Sequence, residues 1–287
     1  MVKLRRIRSE ISIIIMFILS SLFSLYISSN LIVSNPSLKG SGDAMAPVYI
    51  IYYLIAVIAF TVLILFLIKR YAKAIKYIFV LLIIYMIFFV SAIIAGIVST
   101  SLIEYFSIIL FITGLFAYLL IFHNEWYIMD AAGFLMVSGA AAVFGTFLNP
   151  YYAMVLLIAF AIYDYVSVYK TKHMVTLARA AVDNSYPLLF VMPSKSGLKL
   201  QNLTFDNRGE NNVLMLGFGD MAIPEILIVS SYIFDQRLIF IILPLAGAIM
   251  ALIVLFFFNN GKPAPGLPYI NTGVIAGFLL SLLISFI

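Results

Sequence analysis

The chain has 287 residues, 64% of them hydrophobic, and its mean hydropathy is +1.15. A water-soluble core has no room for so much apolar surface, so the composition excludes soluble folds and disordered chains and indicates a membrane protein. The absence of cysteine excludes disulfide scaffolds, thiol nucleophiles and thiolate metal sites.

Apolar windows of about 20 residues, long enough to cross roughly 30 Å of hydrocarbon, occur nine times along the chain. We therefore predict an all-α fold, a polytopic membrane protein with nine transmembrane helices in a single membrane domain, 1–287. The first six spans fall within 1–169, a polar loop covers 170–211, and the last three spans fall within 212–287. The predicted spans are 11–33, 47–68, 77–98, 102–122, 128–148, 150–169, 212–234, 238–258 and 268–287.

Two pairs of neighbouring spans are joined by very short polar corners. Ser99 to Ser101 separate the third span from the fourth, and Asn149 and Pro150 separate the fifth from the sixth. Each pair is therefore predicted to form a tight helical hairpin. The first span follows a basic start, as a signal peptide does. Its apolar run continues through Val33 without a small-residue cleavage site, so we predict that it is retained.

The basic residues predict the orientation, because Lys and Arg collect in cytoplasmic loops. With the N-terminus in the cytoplasm, only Lys39 and Arg237 of the 17 basic residues fall outside. This asymmetry supports an odd number of spans and an extracytoplasmic C-terminus. It also explains the net charge of +5 without a nucleic acid partner. The cytoplasmic basic residues are Lys3, Arg5, Arg6, Arg8, Lys69, Arg70, Lys73, Lys76, Lys170, Lys172, Arg179, Lys195, Lys199, Arg208 and Lys262.

The loop 170–211 contains two segments with open interpretations. Residues 170–182 either continue the sixth span as an amphipathic helix or form a solvated linker. The apolar run 187–193 is too short to span a membrane, and either pairs as a strand with a substrate or lies on the bilayer. Asn202-Leu203-Thr204 fits a glycosylation pattern but is predicted to be cytoplasmic, so we discount it.

The polar residues exclude most protease chemistries. A metalloprotease needs His-Glu-x-x-His on a helix, and a serine protease needs a histidine base near its nucleophile. The two histidines, His123 and His173, are far apart, and both fall in predicted cytoplasmic loops. The sequence also has no Gly-rich phosphate loop that would indicate an ATPase. Acid chemistry remains, and it requires water but no metal or cofactor.

Three carboxylates, Asp164, Asp220 and Glu225, fall inside predicted spans. A carboxylate among lipid tails is costly unless it faces a partner or water, so each is either functional or bonded to a neighbouring helix. Glu225 lies about 140° around its helix from Asp220, and either lines a hydrated cavity or pairs with another helix. The other acids are predicted to lie in loops or at helix ends: Glu10, Asp43, Glu104, Glu125, Asp130, Asp183, Asp206, Glu210 and Asp235.

Depth in the membrane singles out two of these three acids. At 1.5 Å per residue, Asp164 and Asp220 lie roughly 9 and 12 Å inside the cytoplasmic boundary, at nearly one level of neighbouring spans. Ala161 and Gly217 precede them by three residues, and with Gly219 they are small enough to let two helices approach closely. Adjacent carboxyl groups share one proton, so that one activates a water while the other polarises the scissile carbonyl.

Three short motifs contain these acids or follow them. Tyr163-Asp164 matches a Tyr-Asp motif in a sixth span, and Gly217-Phe218-Gly219-Asp220 matches Gly-x-Gly-Asp in a seventh. Pro265-Gly266-Leu267-Pro268 matches Pro-Ala-Leu before a ninth span, with Gly266 in place of alanine. With these motifs the chain resembles the presenilin and signal peptide peptidase family of intramembrane aspartyl proteases, and looks most like its archaeal homologues. The first five spans are similar only in topology.

The resemblance implies a presenilin-like multi-pass endopeptidase of the cell membrane that cuts transmembrane proteins or signal peptides within the bilayer. It implies that Asp164 and Asp220 are the catalytic pair and that the other motif residues position the substrate. The predicted orientation is that of presenilins, whereas Met221 to Pro224 looks more like signal peptide peptidases, so the branch stays open. Self-association is also left open. The implied positioning residues are Tyr163, Gly217, Gly219, Pro265, Gly266, Leu267 and Pro268.

The segment around Pro265 has a second, physical interpretation. Three prolines and two glycines within residues 261–268 disfavour a helix, so we expect this stretch to enter the membrane edge extended. An extended segment offers hydrogen bonds to an unwound substrate by strand addition. The alternative is an ordinary turn before the ninth span.

Two other functions fit paired acids in a membrane. A channel or transporter would use Asp164 and Asp220 for a cation or for protons, and a noncatalytic scaffold would bury them as satisfied core groups. An inverted-repeat transporter would have matching helix breaks near mid-membrane in both halves. Here the Pro/Gly break lies at the cytoplasmic edge and does not recur in the first half, which favours the protease.

Overall fold

The structure, a computed structural model, describes residues 2–39, 46–123, 125–193, 213–258 and 264–286. Most of these residues are helical, and two short strands lie late in the chain. A π-helical turn, Val166–Lys170, extends α5. The elements are α1 (Val2–Ser34), α2 (Ala46–Val98), α3 (Leu102–Phe122), α4 (Trp126–Phe147), α5 (Pro150–Tyr165), α6 (His173–Asp183), β1 (Leu189–Pro193), β2 (Val213–Gly217), α7 (Phe218–Phe234), α8 (Ile239–Phe258) and α9 (Gly266–Ser285).

Seven helical segments of the described residues are long and apolar enough to cross a membrane. They lie in α1, the second half of α2, α3, α4, α5 with its π-helical turn, α8 and α9. Their outer sides expose large apolar side chains, as Leu102, Ile103 and Leu110 do on α3, which is typical of helix surfaces that face lipid. The predicted helical membrane fold is therefore confirmed, whereas the second and seventh predicted spans are not among these segments.

Residues 69–76, predicted to form a loop between the second and third spans, are part of a helix. α2 runs for 53 residues, with non-helical torsion angles at Tyr71 (φ −136°, ψ 43°). The sequence has no proline or glycine between 69 and 76, so helical hydrogen bonding resumes directly on either side of this kink. A straight helix of this length would extend about 80 Å, far more than the hydrocarbon thickness.

The seventh predicted span begins later than expected because its first residues form a strand. β2 pairs antiparallel with β1, with Val191 opposite Met215 and Leu189 opposite Gly217. The apolar run 187–193 therefore contains a strand, but its partner is β2 of the same chain. α7 begins only after β2 ends, at Phe218. Asn202-Leu203-Thr204 lies outside the described residues.

Residues 170–182, which the sequence left open between an amphipathic helix and a solvated linker, are mostly helical, but this helix does not continue the sixth span directly. The helical conformation is interrupted at Lys172, whose φ is 57°, and α6 begins at the next residue. The apolar side of α6 carries Leu177 and Ala181, which join a buried cluster with Ile75 and Phe79 of α2. The C-terminal end of α5 is thereby connected to α2.

The first predicted hairpin is confirmed, because α2 packs against α3, whereas α5 packs against α7 and α9 and not against α4, so the second is wrong for the described residues. Polar side chains cap the starts of both α3 and α5. Ser101 precedes α3, and its Oγ accepts the N–H of Glu104 at 3.3 Å. The Glu104 carboxylate in turn accepts the N–H of Thr100 at 2.9 Å. Asn149 precedes α5 and accepts the N–H of Tyr151 at 3.2 Å. These bonds satisfy N–H groups that a helix start leaves unpaired.

α7 lies at the centre of the bundle. Met221, Leu227, Ile228 and Val229 are fully buried, and α7 packs against α1, α4, α5, α8 and α9. Because α7 follows β2 directly, the position of its first turn depends on both the bundle and the strand pair.

Small residues allow α8 and α9 to approach closely. A Cβ built on Gly273 would lie 2.2 Å from the carbonyl oxygen of Gly247 and 2.7 Å from the Cβ of Ala251. The backbones of the two helices are therefore in direct contact, as in other membrane helix pairs that use small residues.

Replacing Gly273 with leucine is expected to lower the free energy of unfolding by about 3 kcal/mol, because the two backbones must separate. Gly114→Leu on α3 is the matched control, since no heavy atom lies within 4 Å of a Cβ built there. Unfolding in detergent measures both. Equal stability of the two variants would contradict the packing described here.

Candidate active site

Asp164 lies near the end of α5, where the helix changes to a π-helical turn. Its side chain is buried, with 4% of its surface exposed. Oδ2 accepts the backbone N–H of Leu267 at 3.2 Å. The Ser167 hydroxyl donates to the Asp164 carbonyl oxygen at 2.8 Å, within the π-helical turn. Such turns are frequent at functional sites.

Asp220 lies in the first turn of α7, directly after β2. Its Oδ2 accepts the N–H of Gly217 at 3.3 Å, and its side chain is partly exposed. The depth predicted for Asp220 assumed a helix from residue 212 and is wrong in that respect, because the preceding residues form a strand. A strand rises about 3.3 Å per residue, more than twice the helical value.

The Pro265 segment brings the two carboxyl groups together. Pro265 is the N-cap of α9, and the helix begins at Gly266. A Cβ on Gly266 would lie 3.0 Å from Cγ and 3.1 Å from Oδ2 of Asp220, while the next residue, Leu267, bonds to Asp164. All three motifs therefore meet at one point. The carboxyl groups of Asp164 and Asp220 thus lie against consecutive residues of α9.

The expectation that this segment is extended is wrong for Gly266 to Pro268. These residues form the first turn of α9, where a proline is tolerated because its missing N–H needs no helical partner. Ala264 and Pro265 are not helical. Gly261 and Pro263 lie outside the described residues.

Two helix N-termini point at the acidic pair. Asp220 occupies the first turn of α7, and Asp164 accepts an N–H from the first turn of α9. Unpaired N–H groups and the helix dipole make such positions favourable for negative charge. This arrangement offsets part of the cost of placing a carboxylate inside a membrane.

The glycines of the second motif have different surroundings. A Cβ on Gly217 would lie 3.1 Å from Oδ2 of Asp220, so this residue is small because the carboxylate needs the space. Gly219 is exposed, and a Cβ there would meet no heavy atom within 4 Å. The prediction that Gly219 brings two helices closer is therefore wrong. Gly219 instead leaves open space beside Asp220.

Asn271 connects the helices that carry the first and third motifs. Its buried side-chain amide donates to the Leu157 carbonyl oxygen at 2.8 Å, which joins α9 to α5. Leu267 is buried in a cluster with Leu156 and Phe160 of α5. The start of α9 is thus held against the helix that carries Asp164.

Glu225 pairs with another helix, one of the two roles that the sequence left open. It is fully buried in α7 and accepts hydrogen bonds from the hydroxyls of Ser20 and Ser24 on α1. The Ser24 bond measures 3.0 Å. Glu225 therefore joins α1 to the helix that carries Asp220.

Two residues near the site were missed by sequence reasoning. His173, assigned to a loop, begins α6, and its Nε2 lies 3.2 Å from the Tyr163 hydroxyl. Asp130, assigned to a loop or helix end, is buried in α4 and accepts the N–H of Val191 at 2.8 Å. No local pattern reveals either contact, because each joins elements whose packing is decided by the tertiary fold.

Burial lowers the pKa of His173, which lies outside the membrane-spanning segments. The unfolded chain therefore binds more protons than the folded one between the lowered pKa and the ordinary value, and stability falls as pH drops through that window. We expect the melting temperature in detergent to fall more between pH 7.5 and pH 5.5 for the wild type than for His173→Gln. Equal shifts in both proteins would contradict this expectation.

Comparison with known proteins decides the family. Residues 14–287 match the family described as signal-peptide peptidase, presenilin aspartyl protease. The chain belongs to this family. It is an intramembrane aspartyl protease. The substrates of this family are transmembrane helical segments within the bilayer. No curated protein matches the chain.

Two solved structures show the same fold as this protease. One is described as a presenilin family intramembrane aspartate protease in space group C222. It is 23% identical, with a TM-score of 0.68, and the match covers 96% of this chain and 99% of that one. The second, from space group P2, is 26% identical with a TM-score of 0.64, and covers 93% and 96%. Neither finding supports the channel alternative.

Proposed function

We propose that Asp164 and Asp220 are the catalytic pair of this intramembrane protease. The observation that carries the proposal is their convergence on consecutive residues of α9, Gly266 and Leu267. The pair holds one proton, because two adjacent carboxylates repel each other. One carboxylate takes a proton from a water that attacks the scissile carbonyl, and the other donates to the carbonyl oxygen.

The edge of β2 supports a mode of substrate binding. In an antiparallel pair, the backbone groups of alternate residues point away from the partner strand. The bond from Phe218 N–H to the Leu188 carbonyl fixes this alternation. Met215 and Gly217 therefore direct their backbone groups away from β1, and the Gly217 N–H does reach Asp220.

A substrate strand that pairs with this edge of β2 would extend to Asp164 and Asp220. Strand addition supplies hydrogen bonds to a helix that must unwind before cleavage. The open space at Gly219 lies next to Asp220 in the chain. In this proposal Gly217, Gly219 and the residues Pro265 to Pro268 position the substrate and the carboxylates, and Tyr163 fixes the end of α5 through His173.

The topology of the protease is also a proposal. Nine spans follow if α7 and the first half of α2 cross the membrane. The kink at Tyr71 divides α2 into two lengths that each suffice, and α7 is 17 residues long and buried on all sides over residues 224–231. The buried core runs through α1, α4, α7, α8 and α9, which supports one domain over residues 1–287. A cytoplasmic N-terminus rests on the distribution of basic residues. The similarity to archaeal homologues stays a prediction, and the choice between the presenilin and signal peptide peptidase branches and self-association stay open.

Reconstitution in lipid vesicles tests the proposed function. The purified protein is mixed with a single-span substrate, and peptide products and ion flux are both measured for the wild type, Asp164→Asn and Asp220→Asn. Products from the wild type alone support the catalytic pair. Ion flux without products, or cleavage that survives both substitutions, would overturn it.

A further inference from the structure

The face of α4 that meets the strand pair carries a buried acid outside the proposed catalytic pair. Asp130 is 5% exposed, and its Oδ1 accepts the N–H of Val191 in β1 at 2.8 Å. Val191 lies opposite Met215, so its N–H points away from β2, towards α4. Without Asp130 this buried N–H would lose its acceptor. An unsatisfied buried donor is costly, so the bond fixes β1 on α4.

The same face of α4 carries a glycine that admits two aromatic rings. A Cβ on Gly133 would lie 2.4 Å from Cε1 of Phe218 and 3.0 Å from Cε1 of Phe190. The two rings pack edge to face, with their centroids 4.6 Å apart. Phe190 belongs to β1, and Phe218 is the first residue of α7. Gly133 therefore fixes how closely both elements approach α4.

Asp130 and Gly133 lie three residues apart and share one face of α4. We propose that this pair, which we name the hairpin seat, positions Asp220. Asp130 holds β1, β1 pairs with β2, and β2 leads into the first turn of α7. Gly133 holds Phe218, two residues before Asp220. The proposal rests on the catalytic role of Asp220 and assigns two positioning residues on a helix that carries none of the three motifs.

The strand edges support the same division of roles. The outward side of β1 is occupied by Asp130, whereas the outward side of β2 leads to Asp220. The seat therefore keeps one edge of the strand pair against α4 and leaves the edge proposed for substrate on the side of the acidic pair. A shift of about 1 Å in this pair would move Asp220 relative to the scissile carbonyl, which is enough to lower a rate strongly.

Four substitutions test the seat. Asp130→Asn keeps an oxygen that accepts the Val191 N–H, whereas Asp130→Leu removes it at similar volume. Gly133→Ala forces the Phe218 ring to move, and Gly114→Ala on α3 is its control, because nothing lies within 4 Å of a Cβ at that position. Each protein is purified as a folded monodisperse sample and assayed below its melting temperature with the single-span substrate.

We expect Asp130→Leu to lower kcat about tenfold, with KM changed less, because the bond positions Asp220. Gly133→Ala is expected to lower kcat and to shift the cut position seen by mass spectrometry. Asp130→Asn and Gly114→Ala are expected to stay within about twofold of the wild type. Backbone amide exchange in 189–193 and 213–220 is expected to speed up in Asp130→Leu and Gly133→Ala but not in the two controls.

The outcomes separate this inference from the proposed function. If the wild type cleaves while Asp130→Leu and Gly133→Ala show wild-type kcat, cut position and amide exchange, the seat is overturned and the catalytic pair stands. If the wild type does not cleave, the proposed function fails, and the amide exchange alone decides whether the seat orders the strand pair. If Asp130→Leu does not fold, Gly133→Ala carries the test against Gly114→Ala.

Discussion

Asparagine at either Asp164 or Asp220 is expected to slow cleavage of a single-span substrate at least about a hundredfold, the usual contribution of a general acid or base. Asparagine keeps the shape of the side chain and can still accept the N–H bonds from Leu267 and Gly217. It neither takes a proton from water nor donates one to the scissile carbonyl oxygen as an acid. The fold should therefore survive while the chemistry stops.

The double variant Asp164→Asn/Asp220→Asn is expected to be no slower than either single variant, because residues that act as a unit are not additive. Asp235→Asn is the control. Asp235 follows α7 at the end opposite Asp220 and pairs with Arg237 at 2.6 Å on the surface. Product formation by mass spectrometry and unfolding in detergent are measured for the wild type and all four variants. Residual activity above one tenth in either single variant would argue against a two-carboxylate mechanism.

Gly266→Leu is expected to slow cleavage about as much as asparagine at Asp164 or Asp220 does. Gly266→Ala is expected to change the cleavage rate little. A Cβ at this position would lie 3.0 to 3.3 Å from three atoms of the Asp220 carboxyl group, which is close but relieved by a shift of a few tenths of an ångström. Alanine also restores the Pro-Ala-Leu form of the motif. A leucine side chain would occupy the space of the carboxyl group itself, and a displacement of 1 Å costs about a hundredfold in rate.

Gly114→Leu again serves as the control for adding a large side chain to a helix glycine, since its surroundings are open. Cleavage rate and melting temperature are compared for Gly266→Ala, Gly266→Leu and Gly114→Leu. The expected pattern is loss of activity in Gly266→Leu alone, with melting temperatures that stay close. An active Gly266→Leu protein would show that Gly266 does not lie against the catalytic carboxyl group.

The sequence by itself determined the membrane class, most of the spans and the residues of the candidate site. Apolar length is a local property, so α3, α4, α8 and α9 were predicted to within a few residues. Ser99 to Ser101 and Asn149-Pro150 carry their turn signals in the chain itself. An acid in a long apolar run is equally visible, which is why Asp164 and Asp220 were found without coordinates.

The tertiary structure alone decided what these residues contact. From the sequence alone, β2 is predicted to be the start of an apolar span. Its strand conformation depends on pairing with β1, more than twenty residues away. The start of α9 is fixed by contacts of Gly266 and Leu267 with distant acids, which local proline and glycine content does not reveal. Asp130 and Glu225 are buried acids whose partners, Val191 and the serines of α1, lie far along the chain. A hydrogen bond between distant segments depends on packing, and no local sequence pattern encodes it.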